Sequence, residues 1–196
     1  MEFRQTPIYE GTSGYKHDDW VGSFYPYDIK NEDMLEYYRD SGLNFAELTY
    51  PFYTMPEKAD IQRIADACGD LKFSVRLHRM FMRGTLPTED VDAFKDALSP
   101  LLEKGAVKCF LADFHHRFDV SRKSLDTIYR INETFNEATL FVELPNRAWY
   151  KERYIDELRN RSIGMCIIDG FKGVGFPPRY PVANGQRAYY RLFGKN

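Results

Sequence analysis

The sequence predicts an α/β fold in which parallel strands alternate with helices and curl into a (β/α) barrel. Three observations predict it. Seven short apolar runs, rich in β-branched or aromatic residues, alternate with helix-like stretches along the 196 residues. Six of those runs end in a charged residue, Glu47, Arg76, Asp113, Glu143, Asp169 and Arg191, each just before a loop. The runs also keep a period of two that separates a polar face from an apolar one. Ser74, Arg76 and His78 share one face of their run and Phe73, Val75 and Leu77 the other; Glu47 and Thr49 oppose Ala46 and Leu48; Tyr189 and Arg191 oppose Tyr190 and Leu192. A doubly wound sheet, buried on both faces, would read as nearly continuous apolar. A barrel accounts for the two faces, with the apolar one against the helices and the polar one in the lumen.

The elements follow in order. Residues 7–11 read as the first strand, and 11–26 as a long loop of small residues, hydroxyls and aromatics. A helix over 31–41 opens on a capping Asn31 and closes near Gly42. The second strand, 44–50, is followed by a helix over 57–68 with Ile61, Ile64, Ala65 and Cys68 on one face and a stop at Gly69. The third strand is 71–78; the helix after it, 88–104, carries Val91, Phe94, Leu98, Leu101 and Leu102 and ends at Gly105. Strand 107–114 leads to helix 121–135, strand 139–144 to helix 151–161, and strand 164–169 to a different kind of stretch. Residues 171–185 contain Gly173, Gly175, Pro177, Pro178, Pro181 and Gly185, which predicts an irregular crossing loop in place of the sixth helix. The last strand is 187–193. No repeat, low-complexity tract or linker divides the chain, so residues 1–196 are expected to form a single domain.

Composition narrows the function classes. A net charge of −2 argues against a dedicated nucleic-acid or membrane surface, although a local basic patch fits within it. There is no apolar run of the length a membrane span needs. The first five residues lack the apolar centre of a signal peptide. Cys68, Cys109 and Cys166 lie far apart without metal-ligand spacing, so reduced, buried thiols and a cytoplasmic location are expected.

Several motifs carry a family resemblance. Gly11-Thr12-Ser13-Gly14-Tyr15, then Trp20 and Phe24-Tyr25-Pro26, resembles the opening of the YecE-like barrels, a large family catalogued as a domain of unknown function. Asn44-Phe45-Ala46-Glu47-Leu48 with Phe52-Tyr53 and Pro56, and Phe73-Ser74-Val75-Arg76, are similar to its second and third strands. Glu143, Asn146 and Trp149 fit a Glu-Phe-Arg-x-x-x-Trp pattern in which Leu144-Pro145 replaces Phe-Arg, and Tyr190-Arg191-Leu192-Phe193-Gly194 resembles Val-Arg-Leu-His-Gly with Phe for His. Leu111-Ala112-Asp113-Phe114 stands where the family often has Leu-Leu-Gln-Phe. The resemblance implies a barrel of the triosephosphate-isomerase type with about seven of its eight strands present, because the chain reaches Asn196 before the Asn-rich eighth strand. It implies no established reaction. The unpaired edges of such a barrel would favour self-association.

The charged strand ends are the candidate chemistry. In barrels of alternating strands and helices they converge on one pole, where active sites sit. Glu47, Glu143 and Asp169, with His78, are the candidate catalytic groups; Glu47, Asp113, Glu143 and Asp169 could instead form an oxygen-rich cup for Mg²⁺ or Mn²⁺. The bland reading is a salt-bridge network with Arg76 and Arg191, since buried carboxylates need partners. Arg76 and Arg191 are also the candidate two-point grip on an anion. Asp113, and His115 two residues on, would point the same way if the strand persists. No His-x-x-x-His or Glu-x-x-His pair exists, so the strong zinc patterns are missing. Ser13, Tyr15, Trp20 and Tyr53 are expected to line the pocket, and the resemblance adds Asn146 and Trp149. Arg76, Arg79 and Arg83, with Arg117, Arg122 and Lys123, could track a nucleic-acid backbone. Three functions follow: an enzyme acting on a phosphorylated, sugar-like or nucleotide substrate, a non-catalytic nucleic-acid-binding module, or a shortened, inactive family member.

Overall fold

The computed structural model describes residues 6–170, 177–183 and 187–194. Within them, seven parallel strands run in sequence order as one curved sheet: β1 (Gly11–Ser13), β2 (Phe45–Leu48), β3 (Lys72–Arg76), β4 (Val107–Asp113), β5 (Thr139–Glu143), β6 (Gly164–Asp169) and β7 (Tyr189–Leu192). Helices α1 (Met34–Asp40), α2 (Lys58–Ala67), α3 (Thr88–Glu103), α4 (Arg122–Thr134) and α5 (Glu152–Asn160) follow the first five strands. This is an incomplete barrel of the triosephosphate-isomerase type: among the described residues β1 and β7 are edges and do not pair with each other.

The two largest differences from the sequence reading lie at the first strand and the first helix. The first strand is Gly11–Ser13, not 7–11, because pairing starts where Gly11 meets Phe45. A side chain at position 11 would place its Cβ 1.6 Å from the Phe45 carbonyl oxygen, so only glycine lets the two backbones approach this closely. Helix α1 begins at Met34 rather than Asn31; the residues before it form turns, and Asn31 caps nothing. Of the loop expected over 171–185, residues 171–176 and 184–185, which include Gly173, Gly175 and Gly185, lie outside the described residues; 177–183 carry no helix.

Four single turns of 3₁₀ helix, which the sequence reading did not anticipate, occupy the segments after β1, β2, β3 and β5: Asp18–Trp20, Tyr50–Phe52, Phe81–Arg83 and Arg147–Trp149. They lie in the loops at the C-terminal pole of the strands. Helix α4 is capped by Ser121, whose Oγ accepts from the Ser124 amide at 3.1 Å.

The apolar residues form two bodies. The larger lies between sheet and helices and includes Phe73, Val75, Phe94, Leu98, Phe110, Ile128 and Phe135. The smaller fills the lumen: Phe45, Cys109, Leu111, Phe141, Cys166 and Ile168, closed by Tyr189. Tyr189 on β7 lies 6.2 Å from the ring of Phe45 on β2 and 5.5 Å from that of Phe141 on β5, contacts that cross the barrel interior. The expected polar lumen is therefore polar only at its C-terminal end. Below that the face is apolar, because a lumen this narrow excludes the water that buried polar groups would need.

A register irregularity sets which residues of β4 look inward. Phe73 pairs with Val107, but Ser74 pairs with Cys109, so Lys108 is an extra residue. It moves Cys109, Leu111 and Asp113 to the lumen face while Val107 stays with the outer core. No helix among the described residues is long and apolar enough to cross a membrane.

Candidate functional site

At the C-terminal end of the lumen, Arg191 on β7 reaches two strands at once. Its Nη2 donates to Glu47 Oε1 at 3.0 Å and its Nη1 donates to Glu143 Oε2. All three side chains are close to fully buried, at 10%, 3% and 11% exposure. Period-two alternation brings them together: Glu47, Glu143 and Arg191 are each the last inward-facing residue of a strand.

The two glutamates are not equivalent. Glu47 also accepts from Ser13 Oγ at 2.9 Å and from the Tyr189 hydroxyl at 2.7 Å, and that hydroxyl meets Ser74 Oγ at 2.8 Å. Three donors thus hold Glu47. Among the described residues one donor, Arg191, reaches Glu143. Burial pushes the Glu143 carboxyl above the ordinary carboxylate range; Arg191 pulls it down and Asp113 pushes it further up. Burial works against the charge on Arg191, but Glu143 and Glu47 outweigh it and hold the guanidinium firmly protonated. Burial first, and then the charge of Glu47, raise the Tyr189 phenol far above its usual range, so it stays a hydrogen-bond donor. Beneath this layer burial keeps the thiols of Cys109, pushed up to about 12, and Cys166 protonated.

A second ion pair stands beside the first. Arg76 Nη2 donates to Asp113 Oδ2, and the guanidinium carbon lies 4.3 Å from the centre of the Phe52 ring and 5.9 Å from that of Tyr53. Its Nε is buried and has no hydrogen-bond partner among the described residues. Asp113 and Glu143 are register partners on neighbouring strands, so the two pairs are adjacent.

The remaining expected residues scatter. Asp169 has the opposite parity to the inward-facing Cys166 and Ile168, and it pairs with Arg179 instead of joining the glutamates. His78 lies past the end of β3, where its Nδ1 is 3.4 Å from the Met80 amide. His115 does not continue the face of Asp113, because β4 ends there; its Nδ1 accepts from the Arg117 amide at 3.2 Å. Trp149 is fully buried, stacked on Phe118 and donating to the Phe118 carbonyl at 2.9 Å, which makes it part of the core. Asn146 caps the turn before Trp149 through its Oδ1, 3.0 Å from the Ala148 amide. Tyr15 is buried, and its carbonyl accepts from the Tyr25 hydroxyl. Trp20 packs against His17, Phe24 and Tyr25, whereas Tyr53 stays 60% exposed over Arg76.

The expected cup for Mg²⁺ or Mn²⁺ is not formed. No group of three or more His, Cys, Asp or Glu among the described residues is placed to hold a metal ion, and each of the four carboxylates is engaged by an arginine. Sequence reasoning missed Tyr189, Ser74 and Phe52. The first two carry the same parity as Arg191 and Arg76, two residues on, so the alternation that found the arginines also pointed to them.

Comparison with known proteins places this arrangement in context. The profile of a family described as a protein of unknown function, DUF72, matches residues 9–196. A crystal structure of a DUF72 family protein from Thermotoga maritima is 31% identical, with a TM-score of 0.82 over 96% of this chain and 75% of that one. A DUF72 family protein from Enterococcus faecalis is 20% identical, with a TM-score of 0.79 over 94% of this chain and 70% of that one. A search of the curated proteins finds no match.

Proposed function

The chain belongs to the DUF72 family of proteins of unknown function, and we propose that the mouth of its barrel binds a small phosphorylated, sugar-like or nucleotide substrate and acts on it as an enzyme. Within the family, the opening Gly-Thr-Ser-Gly-Tyr motif favours the YecE-like group. The observation that carries the reading is the unequal pair of glutamates on one arginine. Glu47, held by three donors, fixes the position of Arg191. Glu143, with a carboxyl raised above the ordinary carboxylate range by burial, is the candidate group to give or take a proton. Arg76 supplies the anion grip: paired with Asp113 and stacked on Phe52, it has a buried Nε without a partner among the described residues, which a phosphate or carboxylate oxygen would satisfy. Exposed Tyr53 would cover the ligand.

The protein is read as cytoplasmic, in keeping with three free, buried cysteines. Self-association through the open edges belongs to the same proposal.

Thermal-shift measurements test the mouth. Ribose 5-phosphate or adenosine monophosphate is expected to raise the melting temperature by mass action. The rise should disappear in Arg76→Gln and persist in Glu143→Gln, which keeps the shape of the site but cannot exchange a proton. No rise with either probe, or an undiminished rise in Arg76→Gln, sinks the assignment.

A further inference from the structure

Away from the lumen, the turn after β3 and the first turns of α4 flank a separate, solvent-open cavity of about 540 Å³. Four cations line it, Arg83, Arg122, Lys123 and Arg130, against a single carboxylate, Asp126. In a chain of net charge −2 this is a local concentration and not a general excess. Arg122 is paired with Asp126 at 3.1 Å. Arg83 and Lys123 have no carboxylate partner among the described residues. Arg130 donates through Nη1 to the Gly84 carbonyl at 3.1 Å, which orients its guanidinium but leaves its charge uncancelled.

All four cations are solvent-exposed, and two further observations bear on the cluster. Arg122 and Lys123 occupy the first turn of α4, which contains no acidic residue. That end of a helix is its positive pole, and cations there cost stability. Helix α3 shows the favourable arrangement, with Glu89 and Asp90 in its first turn. The residues of α4 thus oppose the stability of their own helix, and a bound anion would reverse the sign. The cavity is also built by a specific backbone device. Gly84 closes the Phe81–Arg83 turn at φ +81°, and a Cβ there would sit 2.9 Å from Thr127 Oγ1. Glycine lets the turn seat on α4 and brings Arg83 to the same cavity as Lys123.

We propose that this cavity is a binding site for a phosphate group, of the monoester or pyrophosphate class. The Arg83 and Arg130 forks can each offer paired donors to phosphate oxygens, and Lys123 adds a point charge. The amides of Arg122 and Lys123 precede the first intrahelical bond, made by Leu125, and so remain available as further donors. The site shares no lining residue with the Glu47–Arg191–Glu143 cluster and does not depend on the function assigned to the mouth.

Isothermal titration calorimetry with pyrophosphate, on the full chain, tests the assignment. The double variant Arg83→Gln/Lys123→Gln is expected to bind at least about tenfold more weakly, one charge-assisted bond or more being lost. In the Arg76→Gln background, which removes the mouth's grip on phosphate, the pyrophosphate binding that remains is expected to be that of this cavity and to weaken in the same way when Arg83 and Lys123 are also replaced. Lys151→Gln/Arg153→Gln removes the same charge elsewhere and should leave binding unchanged. In amide NMR spectra, pyrophosphate should move the Gly84, Thr85 and Lys123 signals first. Equal weakening by the Lys151/Arg153 pair would reduce the cluster to non-specific attraction and overturn the proposal. No weakening in the Arg83/Lys123 variant, or no binding by the wild type, also overturns it. Binding of a short single-stranded oligonucleotide without any response to pyrophosphate would replace it with a polymer-binding surface.

Discussion

Arg191 is the cation shared by two buried carboxylates, and its removal exposes what each of them costs. In Arg191→Met, Glu47 keeps Ser13 and Tyr189, but Glu143 loses its one donor among the described residues. Breaking a buried ion pair in this way typically costs about 3–5 kcal/mol. The pH dependence follows from Glu143, whose carboxyl is already raised by burial despite Arg191. A carboxyl whose folded pKa lies above its unfolded one contributes stability fully below the unfolded value, and loses it as the pH rises through the folded value. Without Arg191 that folded value rises further and the loss is larger. Urea denaturation should therefore show an Arg191→Met deficit that is greatest at pH 8 and shrinks towards pH 4. A deficit independent of pH would mean that Glu143 does not titrate in this environment.

At the level of elements, the shortest strand rests on one residue without a side chain. β1 has three residues, and its first pairs with Phe45 through a contact that no Cβ can enter. The Tyr38 hydroxyl secures the same corner, donating to the Phe45 carbonyl at 2.8 Å and accepting from the Thr12 amide at 2.9 Å. Gly11→Ala should push β1 from β2, destabilise the protein by about 1–3 kcal/mol as overpacking does, and speed amide exchange at Thr12 and Gly14. Because Ser13 on β1 donates to Glu47, the variant should also loosen the mouth. Unchanged exchange at these amides would show that β1 tolerates the extra atom. The extra residue Lys108 in β4 acts at the same scale: one residue more in a strand decides that Asp113 faces Arg76.

The molecule as a whole is a barrel with two edges among its described residues, and the outer face of the last strand is bare. Tyr190 and Leu192 on that face are 59% and 75% exposed, and Phe193 beyond them is 41% exposed. Edges and apolar faces of this kind invite pairing with another chain. Sedimentation velocity is expected to show association that increases with concentration, and Tyr190→Lys/Leu192→Lys should reduce it. A stable monomer at every concentration would show that neither the edges nor this face pairs.

Much of this was legible in the sequence because it depends on local rules. Alternation with period two, glycine and proline punctuation, and charged strand ends identify seven strands, five helices and the inward placement of Glu47, Arg76 and Arg191. What needed the tertiary structure was everything that depends on register and distance. Asp169 ends a strand in a charge, as Glu143 does, yet it faces away, and no spacing rule separates the two. Trp149 stands in a motif beside Glu143 and is packed into the core. The inequality of the two glutamates comes from Ser13 and Tyr189, which lie 34 and 142 residues from Glu47 along the chain. The cavity beside α4 joins residues of the β3–α3 connection to residues of α4 itself. Sequence alone determines which residues can share a face, because that follows from backbone periodicity. Closure of the sheet decides which of those faces meet, because contact across a barrel depends on strand register and curvature, to which residues distant in the chain contribute together.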